Sequence, residues 1–440
     1  MLSLPTIRRL CAAFDAIAAV IIAANLCKSR TKTDIASRDT FPTIAACRAA
    51  VAAKNRANHN HETNSPPESV PVSEPALLKI KKERDPEKLF LLFEANACNR
   101  LVVENRFTFE DTVSRLAGAG RLDLVEQLLE HQKGLPQGRR EGFMVRIIML
   151  YGRARMPDHA LKTFSGMHLF GCRRTVKSFN ATLKVLHENR RFDQLQKVVD
   201  EGVAELGIVL DDISYNIIIK SVCEMGTLNA AYSVMVDMEK AGIRPDVVTY
   251  TTLMSAFYKL GQREIGDGLW NLMVLRGCSP NLASYNVRIQ FLINRQKAWQ
   301  ANTLIRKMDL SGIKPDELTY NLIIKGFCMI FELDMAKRIF FAMNRRGCNP
   351  NSKIYQTMVH YLCKGGEFDM AFRLCKDSME RNWFPNVDTT NKLLKGLVSI
   401  SKDINAREIL KLVQGRRTPY SADELKTFQD ILSRGVAAQK

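Results

Sequence analysis

The sequence predicts an all-α protein, a superhelical solenoid of stacked helix-turn-helix repeats of 35 residues each. Tyrosine and proline both recur with that one period. The tyrosines are Tyr215, Tyr250, Tyr285, Tyr320 and Tyr355, and the prolines are Pro245, Pro280, Pro315, Pro350 and Pro385. Between them, each period holds two apolar stripes at helical spacing. Two helices this short cannot bury their apolar faces alone, so successive pairs must stack.

The segment 212–246 illustrates how each repeat is built. The apolar residues of its first helix are Tyr215, Ile218, Ile219 and Val222, and those of its second are Ala231, Val234, Met235 and Met238. Met225 and Gly226 lie between the two stripes and predict the turn. Gly242 accepts a left-handed backbone and Pro245 lacks an amide hydrogen, so these two residues stop the second helix.

The same register divides the rest of the chain. Residues 106–420 are predicted to form an array of about nine repeats, beginning at Arg106, Glu141, Val176, Asp212, Val247, Leu282, Glu317, Ser352 and Val387. Residues 76–105 are predicted as a degenerate half repeat, in which Asp85 and Pro86 begin a helix that ends near Ala97. Residues 421–440 are predicted as a C-terminal capping helix and tail that starts at Ser421.

The first 60 residues differ from the array in composition. They are rich in alanine and carry nine Lys and Arg against three Asp, which is typical of an organelle transit peptide. The apolar run from Leu10 to Cys27 is short for a membrane span and contains Asp15, so a membrane anchor is the weaker interpretation. A secretory signal and an uncleaved tail remain alternatives. Residues 61–75 are predicted as a proline-rich linker.

Composition limits the class of protein. The chain has 440 residues, of which 46% are hydrophobic, so it can bury a large core. Its net charge of +18 favours a polyanionic partner, an import peptide, or both. Eleven cysteines without a CxxC pair indicate a reducing compartment rather than a disulfide scaffold or a zinc site.

Two segments carry a family resemblance. "VVTYTTLMSAFYKLGQREIGDGLWNLMVLRGCSPN" (residues 247–281) and "ELTYNLIIKGFCMIFELDMAKRIFFAMNRRGCNPN" (residues 317–351) resemble the pentatricopeptide repeat. The resemblance covers residues 106–420 and is closest from Val176 to Asn386. Tetratricopeptide repeats have 34 residues and lack the "TYN" start. No deaminase signature follows Asn386, so the chain resembles the P-type members found in plant organelles.

The resemblance implies sequence-selective binding of single-stranded organellar RNA, one base per repeat. In the family, the residue after the tyrosine and the last residue of the repeat select the base. These pairs are Asn180 with Asp211, Asn216 with Asp246, Thr251 with Asn281, Asn286 with Asp316, and Asn321 with Asn351. By analogy they would read U-U-A-U-pyrimidine. An Asn amide offers both a donor and an acceptor to a base edge. The same residues are also common helix N-caps, which leaves a purely structural role open.

Other positions carry further expectations from the same resemblance. Ile213, Val248 and Leu318 are expected to stack on bases, and Lys259 and Lys364 to contact phosphates. Three pairs depart from the family pattern: Glu110 with Arg140, Val145 with Thr175, and Gln356 with Asn386. Glu188, Glu224, Asn294 and Met329 occupy the phosphate-contacting position in other repeats. These departures predict modest affinity for RNA.

No motif for catalysis is convincing. The sequence has no P-loop and no HExxH, and the glycines near Gly118 lack a preceding strand. We therefore expect no enzyme activity, no cofactor, no metal, and no binding to DNA or membranes. The expected role is transcript processing, stability or translation in the mitochondrion, with the chloroplast as the alternative. A structural component of an organellar ribosome or another ribonucleoprotein is the rival hypothesis, and a protein-binding scaffold is a third.

Overall fold

A computed structural model describes residues 75–415 and 419–437 of the chain. The predicted transit peptide, residues 1–60, and the predicted linker, except for Pro75, lie outside these residues. In the described ranges, the regular structure consists of twenty-two α-helices and two 3-10 helices, without strands. The predicted all-α class built from stacked helix-turn-helix repeats is confirmed.

The chain divides into two compact units. The N-terminal unit ends at Arg244. Its described helices are α1 (Pro75–Lys82), α2 (Pro86–Glu94), α3 (Arg100–Val103), α4 (Arg106–Gly118), α5 (Leu122–Gly134), α6 (Glu141–Arg153), α7 (Pro157–Gly166), α8 (Val176–Glu188), α9 (Phe192–Ala204), α10 (Asp212–Glu224) and α11 (Leu228–Lys240), with 3-10 turns at Pro136–Arg139 and Met167–Phe170.

The C-terminal unit begins at Pro245. Its described helices are α12 (Val247–Lys259), α13 (Arg263–Leu275), α14 (Leu282–Asn294), α15 (Ala298–Leu310), α16 (Glu317–Met329), α17 (Leu333–Arg345), α18 (Ser352–Lys364), α19 (Phe368–Glu380), α20 (Val387–Ser399), α21 (Asp403–Gln414) and α22 (Ala422–Ala437). In both units, the first helix of each repeat starts at the residue where the 35-residue register predicts it.

Side-chain caps fix these starting points. The first helices from α8 onward follow the N-cap residues Thr175, Asp211, Asp246, Asn281, Asp316, Asn351 and Asn386. Each cap oxygen accepts a hydrogen bond from a backbone amide of the first turn, which stabilises a helix by about 1 kcal/mol. At Asp211, Asp246, Asn281 and Asp316, a Ser or Thr hydroxyl completes a capping box.

The turn inside every repeat contains a left-handed residue. Glycine occupies it at Gly120, Gly226, Gly261 and Gly366, with φ between 75° and 81°. Residues with side chains occupy it in the other repeats, with φ between 57° and 60°: Arg155, Arg190, Gln296, Phe331 and Ser401. The turn geometry is therefore kept even where the glycine is missing.

The helices pack in two layers within each unit. In the C-terminal unit, α12, α14, α16, α18 and α20 pack successively against one another, and each also packs against the second helix of its own repeat. The repeating tyrosines lie in this core, because Tyr250, Tyr320 and Tyr355 are buried. The first helices of this unit thus form a continuous layer in which the residues after each N-cap come close to those of the next repeat.

The ends of the array differ in part from the predictions. Asp85 caps α2 through bonds to the amides of Glu87 and Lys88, as predicted, but α2 ends at Glu94 rather than near Ala97. Two further helices, α1 and α3, flank it, so the degenerate half repeat contains more structure than expected. At the other end, Ser421 and Glu424 exchange hydrogen bonds at the start of α22. Among the described helices, none has the length and apolar content that crossing a bilayer requires.

Candidate nucleic-acid interface

One predicted selecting pair of the C-terminal unit is joined by a buried hydroxyl. Nδ2 of Asn286 donates to Oδ1 of Asp316 at 3.3 Å. Oδ1 of the same amide lies 2.6 Å from Oγ1 of Thr319, the residue before the next tyrosine. That hydroxyl also lies 2.7 Å from Oδ1 of Asp316. We call these three residues, Asn286, Thr319 and Asp316, a hydroxyl triad.

The N-terminal unit repeats this arrangement at a second predicted pair. Nδ2 of Asn180 donates to Oδ1 of Asp211 at 2.8 Å, and Oγ of Ser214 lies 2.6 Å from Oδ1 of Asn180. Asn180 and Asn286 are only 8% and 7% exposed. Because an Asn amide has two N–H donors and two acceptor lone pairs, each triad leaves one donor and one acceptor position for a ligand.

The aspartates of the two triads remain ionised near neutral pH. Burial tends to raise the pKa of Asp316, but hydrogen bonds from Thr319 and Asn286 outweigh it and hold the pKa below its ordinary value. Burial also tends to raise the pKa of Asp211. Hydrogen bonds from Asn180 and Ser214 outweigh it and hold this pKa below its ordinary value as well. No described residue donates to Oδ2 of either carboxylate. An ionised carboxylate only accepts hydrogen bonds, so it favours a base edge that carries an N–H.

Thr251 and Asn281 are linked in a different way. Oγ1 of Thr251 lies 2.9 Å from Oγ of Ser284, which in turn lies 3.0 Å from Oδ1 of Asn281. The serine hydroxyl therefore bridges the pair, and no direct bond joins its two members in the described structure. Thr251 is half-buried rather than fully exposed.

The structure does not join Asn321 to Asn351. Nδ2 of Asn351 donates instead to Oε2 of Glu317 at 2.7 Å. The residue that would supply the hydroxyl is Ile354, and Oδ1 of Asn321 is buried without a hydrogen-bond partner among the described residues. The remaining pair, Asn216 and Asp246, belongs to two different units, and Asp246 caps α12 in its own unit.

A cleft of about 460 Å³ opens beside the triad of the C-terminal unit. Four of the residues that the sequence predicts to contact RNA line this cleft, and they come from three consecutive repeats: Lys259, Asn286, Asp316 and Leu318. Its volume falls in the range of small-ligand sites, and its wall combines apolar side chains with about as many polar and charged ones. The cleft therefore combines a lysine predicted to contact phosphate, a pair predicted to select a base and a leucine predicted to stack on one.

The predicted stacking residues are accessible. Ile213, Val248 and Leu318 are 54%, 52% and 52% exposed although they are apolar. Phe107, which sequence reasoning missed, has the same position in its repeat and is 83% exposed. The predicted phosphate contacts Lys259 and Lys364 are exposed as well, and Nζ of Lys364 lies 5.1 Å from the ring centroid of Phe331.

The degenerate repeat that begins at Arg106 places charge pairs at its selecting position. Glu110 bonds to Arg106 and Arg153, each at 2.9 Å. The hydrogen bond from Arg106 is the main cause that lowers the pKa of Glu110, so this side chain stays an anion. An anion held by two arginines lacks the free amide of the triads.

The hydroxyl residues of the triads were not predicted from the sequence. A signal for them exists, because a Ser or Thr stands three residues after Asp211, Asp246, Asn281 and Asp316. That spacing is the capping-box pattern, which explains the hydroxyl as part of a cap. The second bond, to the selecting residue of the preceding repeat, depends on how the first helices stack.

Comparison with known families agrees with this architecture. A model of the PPR repeat family matches residues 210–259, 245–294, 280–329 and 350–399, and a second PPR repeat model matches residues 146–172 and 318–348. The matched segments of the chain are pentatricopeptide repeats.

Its relatives include proteins of Arabidopsis thaliana. The mitochondrial pentatricopeptide repeat-containing protein At1g80150 is 62% identical over 200 residues, covering 46% of this chain and 50% of that protein. The small ribosomal subunit protein mL103 (rPPR7) is 35% identical over 194 residues, covering 43% of this chain and 47% of that protein. The matched part of the chain thus spans about half the length of these relatives.

Solved structures of the family are similar at lower identity. The maize pentatricopeptide repeat protein PPR10 has 17% identity and a TM-score of 0.48, covering 79% of this chain and 57% of that one. PPR10 in complex with an 18-nt psaJ RNA element has 18% identity and a TM-score of 0.43, covering 96% of this chain and 66% of that one.

Proposed function

We propose that the chain binds single-stranded RNA of the mitochondrion with sequence selectivity, one base per repeat. The observation that carries this proposal is the cleft beside Asn286. A ligand there would meet a half-satisfied amide, an ionised carboxylate, an apolar side chain and a lysine at once. A single-stranded base offers a polar edge, a π-face and a phosphate, which match these groups.

The triads support selection of uracil at their repeats. The imino N–H of uracil is a donor that an ionised Asp oxygen accepts, and its carbonyls accept from an Asn amide. Thr251 and Asn281 form a repeat without an ionised acid, which supports adenine there. We infer that the chain acts by occupying RNA rather than by catalysis, and so supports transcript processing, stability or translation.

A structural role in a mitochondrial ribosome is the second candidate. The similarity to the small ribosomal subunit protein mL103 favours it. The charge pairs at Glu110 and the aliphatic Val145 also favour it, because they leave the first two repeats without a base-reading group at the selecting position. In that role the chain would contact RNA and proteins without selecting bases.

Binding of matched oligonucleotides tests the proposed function. The full-length chain should bind a single strand containing UUAUU at least about tenfold more tightly at 50 mM salt than at 200 mM, since several phosphate contacts release counterions. The duplex of the same sequence and a single strand containing GGCGG should bind far more weakly. Equal affinity for all three would reject base selection and favour the ribosomal role, which steady comigration with a ribosomal subunit would support.

A further inference from the structure

The cleft beside Asn286 extends along the first helices, past the triad. Counted from the first residue of each repeat, the ninth and thirteenth positions line it: Ser255 and Gln290 at the ninth, Lys259 and Asn294 at the thirteenth. These positions follow the selecting fifth position at intervals of four residues, so all three share one helix face. A ligand held at the fifth position would therefore also reach side chains at the ninth and thirteenth.

In the C-terminal unit, these two positions carry lysines, and no Asp or Glu occupies either of them. The residues at the ninth and thirteenth positions are Ser255 and Lys259, Gln290 and Asn294, Lys325 and Met329, His360 and Lys364, and Lys395 and Ser399. Four of the five repeats thus carry one lysine, at one position or the other. All four lysines are exposed, and none forms a salt bridge with a described residue.

The N-terminal unit differs at the same positions. There Lys184 is followed by Glu188, with 3.9 Å between Nζ and Oε1, and Lys220 is followed by Glu224 in the same spacing. In the repeat that begins at Glu141, Arg153 at the thirteenth position bonds to Glu110. Each of these cations therefore has an acid on the same helix face or in direct contact.

Lys259 and Lys364 stand at the thirteenth position, where the family resemblance already predicts a phosphate contact. We propose that Lys325 and Lys395 join them in one lysine row that follows the sugar-phosphate backbone of RNA, confined to the C-terminal unit. In it, Lys325 and Lys395 at the ninth position replace the lysine that their repeats lack at the thirteenth. The two positions are four residues apart, about 6 Å along the helix axis, a distance that the flexible lysine stem spans. This proposal rests on the proposed function, the binding of single-stranded RNA. It adds the path that the sugar-phosphate backbone of the RNA takes along the protein.

Charge complementarity identifies phosphate as the occupant. Lysines without an acid on the same helix face present their full charge to a ligand, whereas a glutamate four residues further along offsets the charge that Lys184 and Lys220 present. A spacing of one cation per repeat also matches a polymer with one phosphate per nucleotide. The gap at Gln290 and Asn294 leaves the cleft beside Asn286 with Lys259 as its cation.

Three double substitutions in the full-length chain test the lysine row. We expect Lys325→Gln with Lys395→Gln to weaken binding to a 12-nucleotide single strand containing UUAUU by about tenfold or more at 100 mM salt. The slope of log affinity against log salt should fall by about 1.4, the value for two lost phosphate contacts on a single strand. Lys259→Gln with Lys364→Gln should weaken binding and lower the salt slope by the same amounts. The control, Lys184→Gln with Lys220→Gln, should change affinity by less than about twofold.

The outcomes separate the lysine row from the proposed function. If Lys325→Gln with Lys395→Gln binds and responds to salt like the wild type, the row is wrong while selective binding stands. Equal losses in all three double variants would indicate a general effect of net charge and would also overturn the row. A wild-type chain that does not bind the single strand would overturn the proposed function itself. Melting curves confirm folding, and Lys325→Arg with Lys395→Arg should restore binding to within about twofold.

Discussion

At the scale of single residues, the hydroxyl of Thr319 connects two roles that the sequence suggested as alternatives. Oδ1 of Asp316 accepts from the amide of Thr319 at 2.8 Å and thereby caps α16. The same oxygen accepts from Asn286, so the cap also orients the amide that faces the cleft. A structural cap and a selecting residue are therefore not exclusive here, since one carboxylate oxygen serves both.

Removing that hydroxyl should affect both stability and selectivity. Thr319→Val keeps the side-chain shape but leaves Oδ1 of the buried Asn286 without its donor, which we expect to cost about 1 to 2 kcal/mol of unfolding free energy. The preference for uracil at the fourth base of UUAUU should fall by about threefold to tenfold. Denaturant unfolding and binding to strands that differ only at that base measure the two effects.

Thr108→Val is the matched control for this substitution. Thr108 also stands three residues after an N-cap, Asn105, but it lies in the first repeat of the array, so only the degenerate half repeat precedes it and offers no selecting Asn for its hydroxyl to join. We expect no change in base preference from this variant. If Thr319→Val left the preference at the fourth base intact, the hydroxyl triad would have a structural role alone.

The repeat with Thr251 allows selectivity to be switched. Thr251→Asn with Asn281→Asp would recreate, with the hydroxyl of Ser284, the three residue types of the triad formed by Asn180, Ser214 and Asp211. The changes remove no large apolar side chain, so stability should change by less than about 1 kcal/mol. Preference at the third base should move from adenine toward uracil by about 1 to 2 kcal/mol. Two oligonucleotides that differ only at this base measure it, and an unchanged ratio with an intact melting curve contradicts base reading.

At the scale of helices, close approach between neighbours depends on small residues on the first helices. A Cβ atom added at Gly396 in α20 would lie 2.0 Å from Cε1 of Phe368, at the start of α19. The ring is rigid and packed against the core, so the two helices would have to separate. The glycine therefore sets the distance between these two elements.

Gly396→Ala should destabilise the chain by about 1 to 3 kcal/mol, the usual cost of overpacking. Gly118→Ala is the control, because Gly118 ends helix α4 and has no atom within 4 Å of an added Cβ. That variant should be neutral or stabilise by up to about 1 kcal/mol. Thermal or denaturant unfolding compares the two, and equal stabilities would show that the packing at Gly396 can relax.

The sequence predicts helices well where local signals coincide. Each first helix of the array starts where the register places it, because a cap residue, a hydroxyl and a tyrosine recur together. The segment before Arg106 lacks this period, so α1 and α3 were missed. The bridging role of Ser214 and Thr319 was missed for another reason: it depends on contacts between residues 33 or 34 positions apart. Such contacts depend on how neighbouring repeats stack. The 35-residue period predicts that repeats stack, but it does not predict which side chains then come into contact.

At the scale of the whole molecule, charge is unevenly distributed. The ninth and thirteenth positions carry unpaired lysines in the C-terminal unit and lysine followed by glutamate in the last two repeats of the N-terminal unit. A further excess of cations lies in residues 1–60, with nine basic and three acidic side chains. Of the net charge of +18, residues 1–60 contribute +6 and the four lysines of the row +4, so a cluster predicted to direct import and another proposed to hold RNA supply more than half of it.

Import can be tested without the array. Residues 1–60 fused to a fluorescent protein should carry it into mitochondria, because a basic amphipathic segment is drawn inward by the membrane potential. Replacing Arg8, Arg9 and Lys28 by Gln should reduce the imported fraction. Fluorescence that stays in the cytosol, enters the secretory route or reaches only chloroplasts would contradict the mitochondrial assignment.

The span of a hydroxyl triad has a consequence for how such arrays evolve. Asn286 and Thr319 are 33 positions apart in a period of 35, so one triad occupies almost a whole repeat length. An unequal crossover between two repeats nearly always falls inside a triad and joins the amide of one parent repeat to the cap and hydroxyl of another. Gain or loss of a repeat therefore changes the length of the site and also creates a new combination at the junction, without any point mutation.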